Sequence, residues 1–190
     1  LGYGGHKVGL GDYDLPRQRL KSPAGSNGSV YVSDSHKYAI QKFTSEGVFV
    51  SQFGTFGTGD GQFSSPAGVA VASDGSVYVS DHYNNRIQKF TSEGVFVSQL
   101  GTFGTGDGQS FSPAGVAVAS DGSVYVVDSG NHCIQKLTSE GVFVSQWGTE
   151  GTGDGEFNHA FHIAVASDGS VYVEVSDLTN YCIQKFSPSR

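Results

Sequence analysis

Between Ser65 and Leu100 the apolar residues fall in four short runs separated by polar or glycine-rich breaks. Val69-Ala70-Val71-Ala72 and Val77-Tyr78-Val79 are apolar at successive positions, so both faces of each run are expected to be buried. Ile87-Gln88-Lys89-Phe90 and Val95-Phe96-Val97-Ser98-Gln99 mix apolar with polar residues, which fits strands buried only in part. Asp74-Gly75 between the first two runs predicts a tight hairpin. Thr91-Ser92-Glu93-Gly94 predicts a second turn between the last two. No window carries the 3.6-residue apolar period of a helix, and Gly or Pro interrupts each candidate.

The pattern recurs. Gly-Ser-Val-Tyr-Val begins at Gly28, Gly75, Gly122 and Gly169, spaced by 47 residues. A fixed period of this length marks a repeat architecture. A four-stranded unit, richest in small apolar residues at one edge and polar at the other, predicts an all-β fold. Its form is a β-propeller of four-stranded antiparallel blades, about four in this chain. Residues 1–21 read as a degenerate strand and connector, and 22–64 as a blade lacking its innermost strand. Residues 65–111 and 112–158 read as complete blades, and 159–190 as a blade lacking its outermost strand. Two extra residues near Glu174-Val175 predict a bulge or a longer loop. Gly5–Leu10 aligns with the outermost strands and is expected to complete the last blade.

Charge and composition then remove function classes. A net charge of −7 argues against nucleic acid as a partner, since that affinity rests on clustered Lys and Arg. No apolar run approaches the ~18 residues of a membrane span, and no membrane partner is expected. Cys133 and Cys182 occupy equivalent places in successive units, too far apart for a disulfide. Both are expected to be free, which favours a reducing, cytoplasmic compartment. The sequence contains no methionine, the expectation for a fragment of a longer protein.

The run Pro66-Ala67-Gly68-Val69-Ala70-Val71, with Asp74-Gly75, Val77-Tyr78-Val79, Asp81, Asn84, Arg86-Ile87-Gln88-Lys89-Phe90, Gly101 and Gly108, resembles the NHL repeat. The resemblance extends from about Ser22 to the C-terminus. It implies a propeller, most often six-bladed, acting as a non-catalytic scaffold for protein–protein interaction. In tripartite-motif ubiquitin ligases such propellers recognise substrates and follow RING and B-box segments. Two cysteines are too few for those zinc sites in this chain. The family Asp is kept as Asp34, Asp81, Asp128 and Asp177, but the family Arg appears only as Arg86, with Ala39, Cys133 and Cys182 elsewhere. Four units fall short of six, so the chain is expected to be part of a longer propeller completed by further blades, to close as four blades, or to complete its ring by dimerisation.

The units differ most in the loop after the second strand, and loops on a rigid scaffold are where binding residues concentrate. The candidate surface for a protein or peptide partner is His36, Lys37 and Tyr38; His82, Tyr83, Asn84, Asn85 and Arg86; Asn131 and His132; and Thr179, Asn180 and Tyr181. The Asp that opens each loop is expected to be structural, bonding backbone two residues on. No catalytic residue and no cofactor is expected. The competing enzyme reading, a metal-dependent lyase-like propeller, rests on His159 and His162 near the channel mouth, without a third ligand at a recognisable spacing. An RNA-binding propeller is the further alternative, opposed by the repeated Glu46, Glu93 and Glu140.

Overall fold

In the computed structural model the described residues are 28–176 and 181–187. The apolar gradient along each unit becomes a gradient of burial. Val77–Asp81 is buried at every position, whereas Phe96–Leu100 exposes alternate residues before ending on the buried Leu100. Each unit forms one antiparallel sheet with its strands in chain order. The second blade comprises Pro66–Val71, Val77–Asp81, Arg86–Phe90 and Phe96–Leu100. The third comprises Pro113–Val118, Val124–Asp128, Cys133–Leu137 and Phe143–Trp147. The first shows Val30–Asp34, Ala39–Phe43 and Phe49–Phe53, and the fourth Ala160–Val165, Val171–Ser176 and Tyr181–Phe186. This is a β-propeller arc, and the Gly5–Leu10 segment expected to close it lies outside the described residues.

The innermost strands of successive blades touch at the hub. A methyl group on Gly68 would lie 2.7 Å from the Ala114 carbonyl oxygen, and one on Gly115 would lie 2.6 Å from that of Phe161. Glycine at these positions is therefore a packing requirement. Outside the hub, each pair of blades shares an apolar core. Ala70, Tyr78, Ile87 and Leu100 of the second blade meet Val116, Val124, Val126 and Leu137 of the third. Burying side chains of this size stabilises by roughly 1.5–3 kcal/mol each.

A polar latch repeats at the same joints. The Tyr31 hydroxyl (2.9 Å) and Lys42 Nζ (2.8 Å) both donate to the Ser92 carbonyl, with the ammonium 5.5 Å from the tyrosine ring centre. Tyr78 and Lys89 repeat this on Ser139, at 3.2 and 3.4 Å. The Thr-Ser-Glu-Gly turn of one blade is thus held by the second and third strands of its predecessor.

Near Glu174 a bulge or a longer loop was expected, and the connectors add a feature of their own. The extra residues near Glu174 form no bulge in their hairpin, because Val171–Ser176 pairs in unbroken register with Tyr181–Phe186. They lengthen the hairpin instead, and the register shift falls on the inner strand between Ala160 and His162, as it does between Pro66 and Val69. The glycine-rich connectors also contain short parallel pairs, Thr55–Phe56 with Gln62–Phe63 and Thr102–Phe103 with Gln109–Ser110.

Candidate functional site

In the second and third blades the loop after the second strand has the same internal frame. His82–Asn84 and Ser129–Asn131 each form one 3-10 turn, ended by a left-handed residue, Asn85 (φ 55°) and His132 (φ 54°). Asn84 Nδ2 donates to Asp81 Oδ2 (2.7 Å) and to the Gly57 carbonyl (2.9 Å). Asn131 Nδ2 does the same with Asp128 Oδ2 (2.8 Å) and Gly104 (2.9 Å). Each loop is therefore tied to the connector that precedes its blade, and the two share one face of the propeller.

The described loop aspartates Asp34, Asp81 and Asp128 are structural, but the partners of Asp81 and Asp128 are not those expected, and Asp177 lies outside the described residues. Asp81 Oδ1 accepts from the backbone N–H of Ser64 (2.9 Å) and Ser65 (3.3 Å), and Asp128 Oδ1 from that of Phe111 (2.9 Å). They reach across to the incoming connector and not to the backbone two residues on. Asp34 is closer to expectation, accepting from the Lys37 N–H at 3.2 Å. Burial raises the Asp128 carboxyl above its ordinary range, against the lowering effect of the Phe111, Asn131 and Gln135 donors. It lies beside Cys133, whose thiol is pushed up to about 12 by burial and by the neighbouring Asp128 charge.

The candidate residues divide into struts and displayed groups. Arg86 is 6% exposed. It donates to Asp81 Oδ2 (3.2 Å), Gln99 Oε1 (3.1 Å) and the carbonyls of Gly59 (2.8 Å) and Gln62 (2.9 Å). Asn84 and Asn131 are struts of the same frame. Asn85 Oδ1 accepts from the Ser112 N–H (2.8 Å), and His132 Nδ1 lies 3.1 Å from the Phe157 carbonyl. His82 Nδ1 lies 3.3 Å from the Pro113 carbonyl, and the Tyr38 ring meets Phe56 edge-on at 4.8 Å. His36, Lys37 and Tyr83 are exposed. Thr179 and Asn180 lie outside the described residues, and Tyr181 begins the strand Tyr181–Phe186.

Three displayed residues were not anticipated: Phe56, Phe103 and Phe111, at 65%, 67% and 44% exposure. They lie in the connectors or beside them, next to the loop frames, with Phe103 and Phe111 edge-on at 5.6 Å. The signal for Phe56 and Phe103 in the sequence was an aromatic residue recurring in an otherwise glycine-rich stretch, Gly54-Thr55-Phe56-Gly57 and Gly101-Thr102-Phe103-Gly104.

His159 and His162, the weak metal candidates, lie at the entry to and within the inner strand of the fourth blade. His162 Nδ1 is 2.6 Å from Glu174 Oε2, while His159 is an exposed left-handed residue (φ 58°) at the entry to the inner strand. Among the described residues no three His, Cys, Asp or Glu side chains converge. Both cysteines are free, Cys133 buried and Cys182 half-buried.

This fold is that of a β-propeller, with one loop frame shared by the second and third blades. Residues 63–90 and 112–137 match the NHL repeat, so the repeats of the second and third blades are of that type. Among solved structures, a streptogramin B lyase aligns with a TM-score of 0.61 at 16% identity, over 88% of this chain and 53% of its own. A hydrazine synthase of Kuenenia stuttgartiensis aligns with a TM-score of 0.67 at 12% identity, over 97% of this chain and 49% of its own. A virginiamycin B lyase from Staphylococcus aureus gives 0.60 at 17%, over 92% and 58%. At these identities the likeness is one of fold, and the chain spans about half the length of those structures. No curated protein matches the sequence.

Proposed function

We propose that this chain is a non-catalytic interaction module that recognises a protein or peptide with its loop face. The observation that carries the reading is a constant frame with changing display. The Asp–Asn–connector hydrogen bonds recur in the second and third blades, while the displayed positions change. Tyr83 of the second blade is 59% exposed where the third blade has Gly130. Phe56, Phe103 and Phe111 add large apolar groups on the same side, and aromatic residues are the usual energetic centres of protein recognition. Such use resembles the substrate-recognition propellers of tripartite-motif ubiquitin ligases, which is the reason for naming a protein or peptide as the partner.

The test is selection of peptides from a displayed random library on the purified chain. Selected peptides are expected to lose binding to a Lys37→Ala, Phe56→Ala, Tyr83→Ala, Phe103→Ala variant. They are expected to keep it for a Glu46→Ala, Glu93→Ala, Glu140→Ala variant on the opposite face. Selected peptides that ignore the first variant and respond to the second would overturn the assignment.

A further inference from the structure

The loop aspartates can be compared at one position across three blades. In the second blade Asp81 is paired with Arg86 at 3.2 Å. In the first, where Ala39 replaces the arginine, Lys37 supplies the charge at 3.6 Å from Asp34. In the third, Cys133 replaces the arginine and Asn131 stands where the first blade has its lysine. Among the described residues no Lys, Arg or His pairs with Asp128.

The surroundings of Asp128 have adjusted only in part. Gln135 Nε2 lies 2.7 Å from Asp128 Oδ2, whereas its counterpart Gln88 stays 3.4 Å from Asp81. In the second and fourth blades the amide oxygen of this glutamine accepts a backbone N–H, from Gly61 (2.9 Å) and Gly155 (2.7 Å). In the third, Gln135 Oε1 is buried with no hydrogen-bond partner, in a side chain that is 2% exposed. An unsatisfied buried acceptor is costly and asks for a donor. The remaining acceptors of the arginine position are all present. They are the carbonyls of Gly106 and Gln109 and the side-chain oxygen of Gln146, the last 3.9 Å from Cys133 Sγ. Gly106 and Gln146 are exposed, so this acceptor set opens to solvent on its outer side.

We propose that the third blade binds a guanidinium group from outside its own sequence, where the second blade uses Arg86. Asp128 Oδ2, the Gln109 and Gly106 carbonyls and Gln146 Oε1 receive its N–H donors. A planar, permanently charged fork matches this arrangement of acceptors, and a lone ammonium point charge matches it less well. With the guanidinium in place, Gln135 draws back toward the spacing of Gln88 and its oxygen regains the N–H of Gly108. The guanidinium belongs either to a small free compound or to an arginine side chain of another polypeptide.

The experiment is a titration of the 15N-labelled chain with methylguanidinium chloride, read on side-chain amides, with sodium chloride at matched ionic strength as control. The Gln135 amide is expected to shift with a dissociation constant on the order of 1–10 mM, while that of Gln88 stays in place. Ligand at ten times that constant is expected to raise the melting temperature by roughly 3–6 °C. A Cys133→Arg variant should melt higher without ligand and lose the response. An arm with N-acetylarginine amide separates the sources: equal binding assigns an arginine side chain, and binding of methylguanidinium alone assigns a small free compound. A Gln135 amide that does not move, or that moves no more than Gln88, overturns the proposal even if Cys133→Arg fails to fold.

Discussion

Replacing Gly68 with alanine tests whether the blades are seated against one another at the hub. The new methyl group would lie 2.7 Å from the Ala114 oxygen, 2.8 Å from the Val116 nitrogen and 3.1 Å from the Gly115 Cα, all backbone atoms. Gly68 is not in the left-handed region, so the substitution acts through contact alone. The inner strand of the third blade must retreat by about half an ångström, enough to forfeit a quarter or more of each dispersion well it shares with the second. That strand is also held by the Ser80 hydroxyl, which donates to the Ala114 carbonyl and accepts from the Gly68 N–H at 2.7 Å.

Overpacking of this kind costs about 1–3 kcal/mol. Against it, alanine restricts the unfolded chain and returns about 0.4–1 kcal/mol. The expected net loss is about 1–2 kcal/mol, a fall in melting temperature of roughly 2–8 °C for a chain of this length. The assay is urea unfolding followed by circular dichroism and by the fluorescence of Trp147, the single tryptophan. Ser80→Ala leaves a buried N–H and carbonyl unpaired and should cost about 1–3 kcal/mol alone. It should cost less in the Gly68→Ala background, where the retreat has already stretched its bond. His162 occupies the equivalent place in the fourth blade, and His162→Ala should stay within about 0.5 kcal/mol of wild type. If Gly68→Ala stays within that margin and adds independently to Ser80→Ala, the close hub contact is refuted.

Three further outcomes follow from the loop frame. Arg86→Met leaves Asp81, 0% exposed, without its cation, and should lower stability by about 3–5 kcal/mol in the same urea assay; a loss under 1 kcal/mol contradicts the pairing. Asp128 has its pKa raised, so the folded state takes its proton at higher pH than the unfolded chain does. The cost of its charge is therefore present at neutral pH and disappears as pH falls through the folded value toward 3.8. Between pH 7 and 4 the stability difference from Asp128→Asn should move in favour of wild type, and a flat difference refutes the shift. Asp74 and Asp121 are lowered by the backbone N–H groups of Ser76 and Ser123, so their contributions are lost only below this window. Finally, a disulfide reagent at pH 8 should label Cys182 quickly and Cys133 only on unfolding, because the Cys133 thiol is buried and titrates at about 12. Two equally fast thiols would contradict that environment.

What the sequence made legible was whatever the 47-residue period repeats. Strand positions, the Asp-Gly hairpins and the graded burial all followed from apolar runs compared across units, since each strand's environment is set within its own blade. The latch of Tyr78 and Lys89 on Ser139 was not legible. It joins residues about one period apart whose polar ends look, in sequence, like ordinary strand positions facing solvent. The loop candidates were found by their variation, and variation alone cannot separate a displayed Tyr83 from a buried strut such as Arg86. That distinction depends on where the preceding connector runs, and the connector's own glycines hide its course.

The positions that changed between units carry the opposite kind of information. Gly68 and Gly115 become His162 where the described blades end, and the position held by Ser80 and then Val127 becomes Glu174, so the two substitutions face each other at 2.6 Å. A histidine there cannot accept a following blade seated as the third sits on the second, because even a methyl group at Gly68 is too close. A repeat array thus records two constraints at once. Residues kept in every unit report the blade, and residues kept only between touching blades report the neighbour.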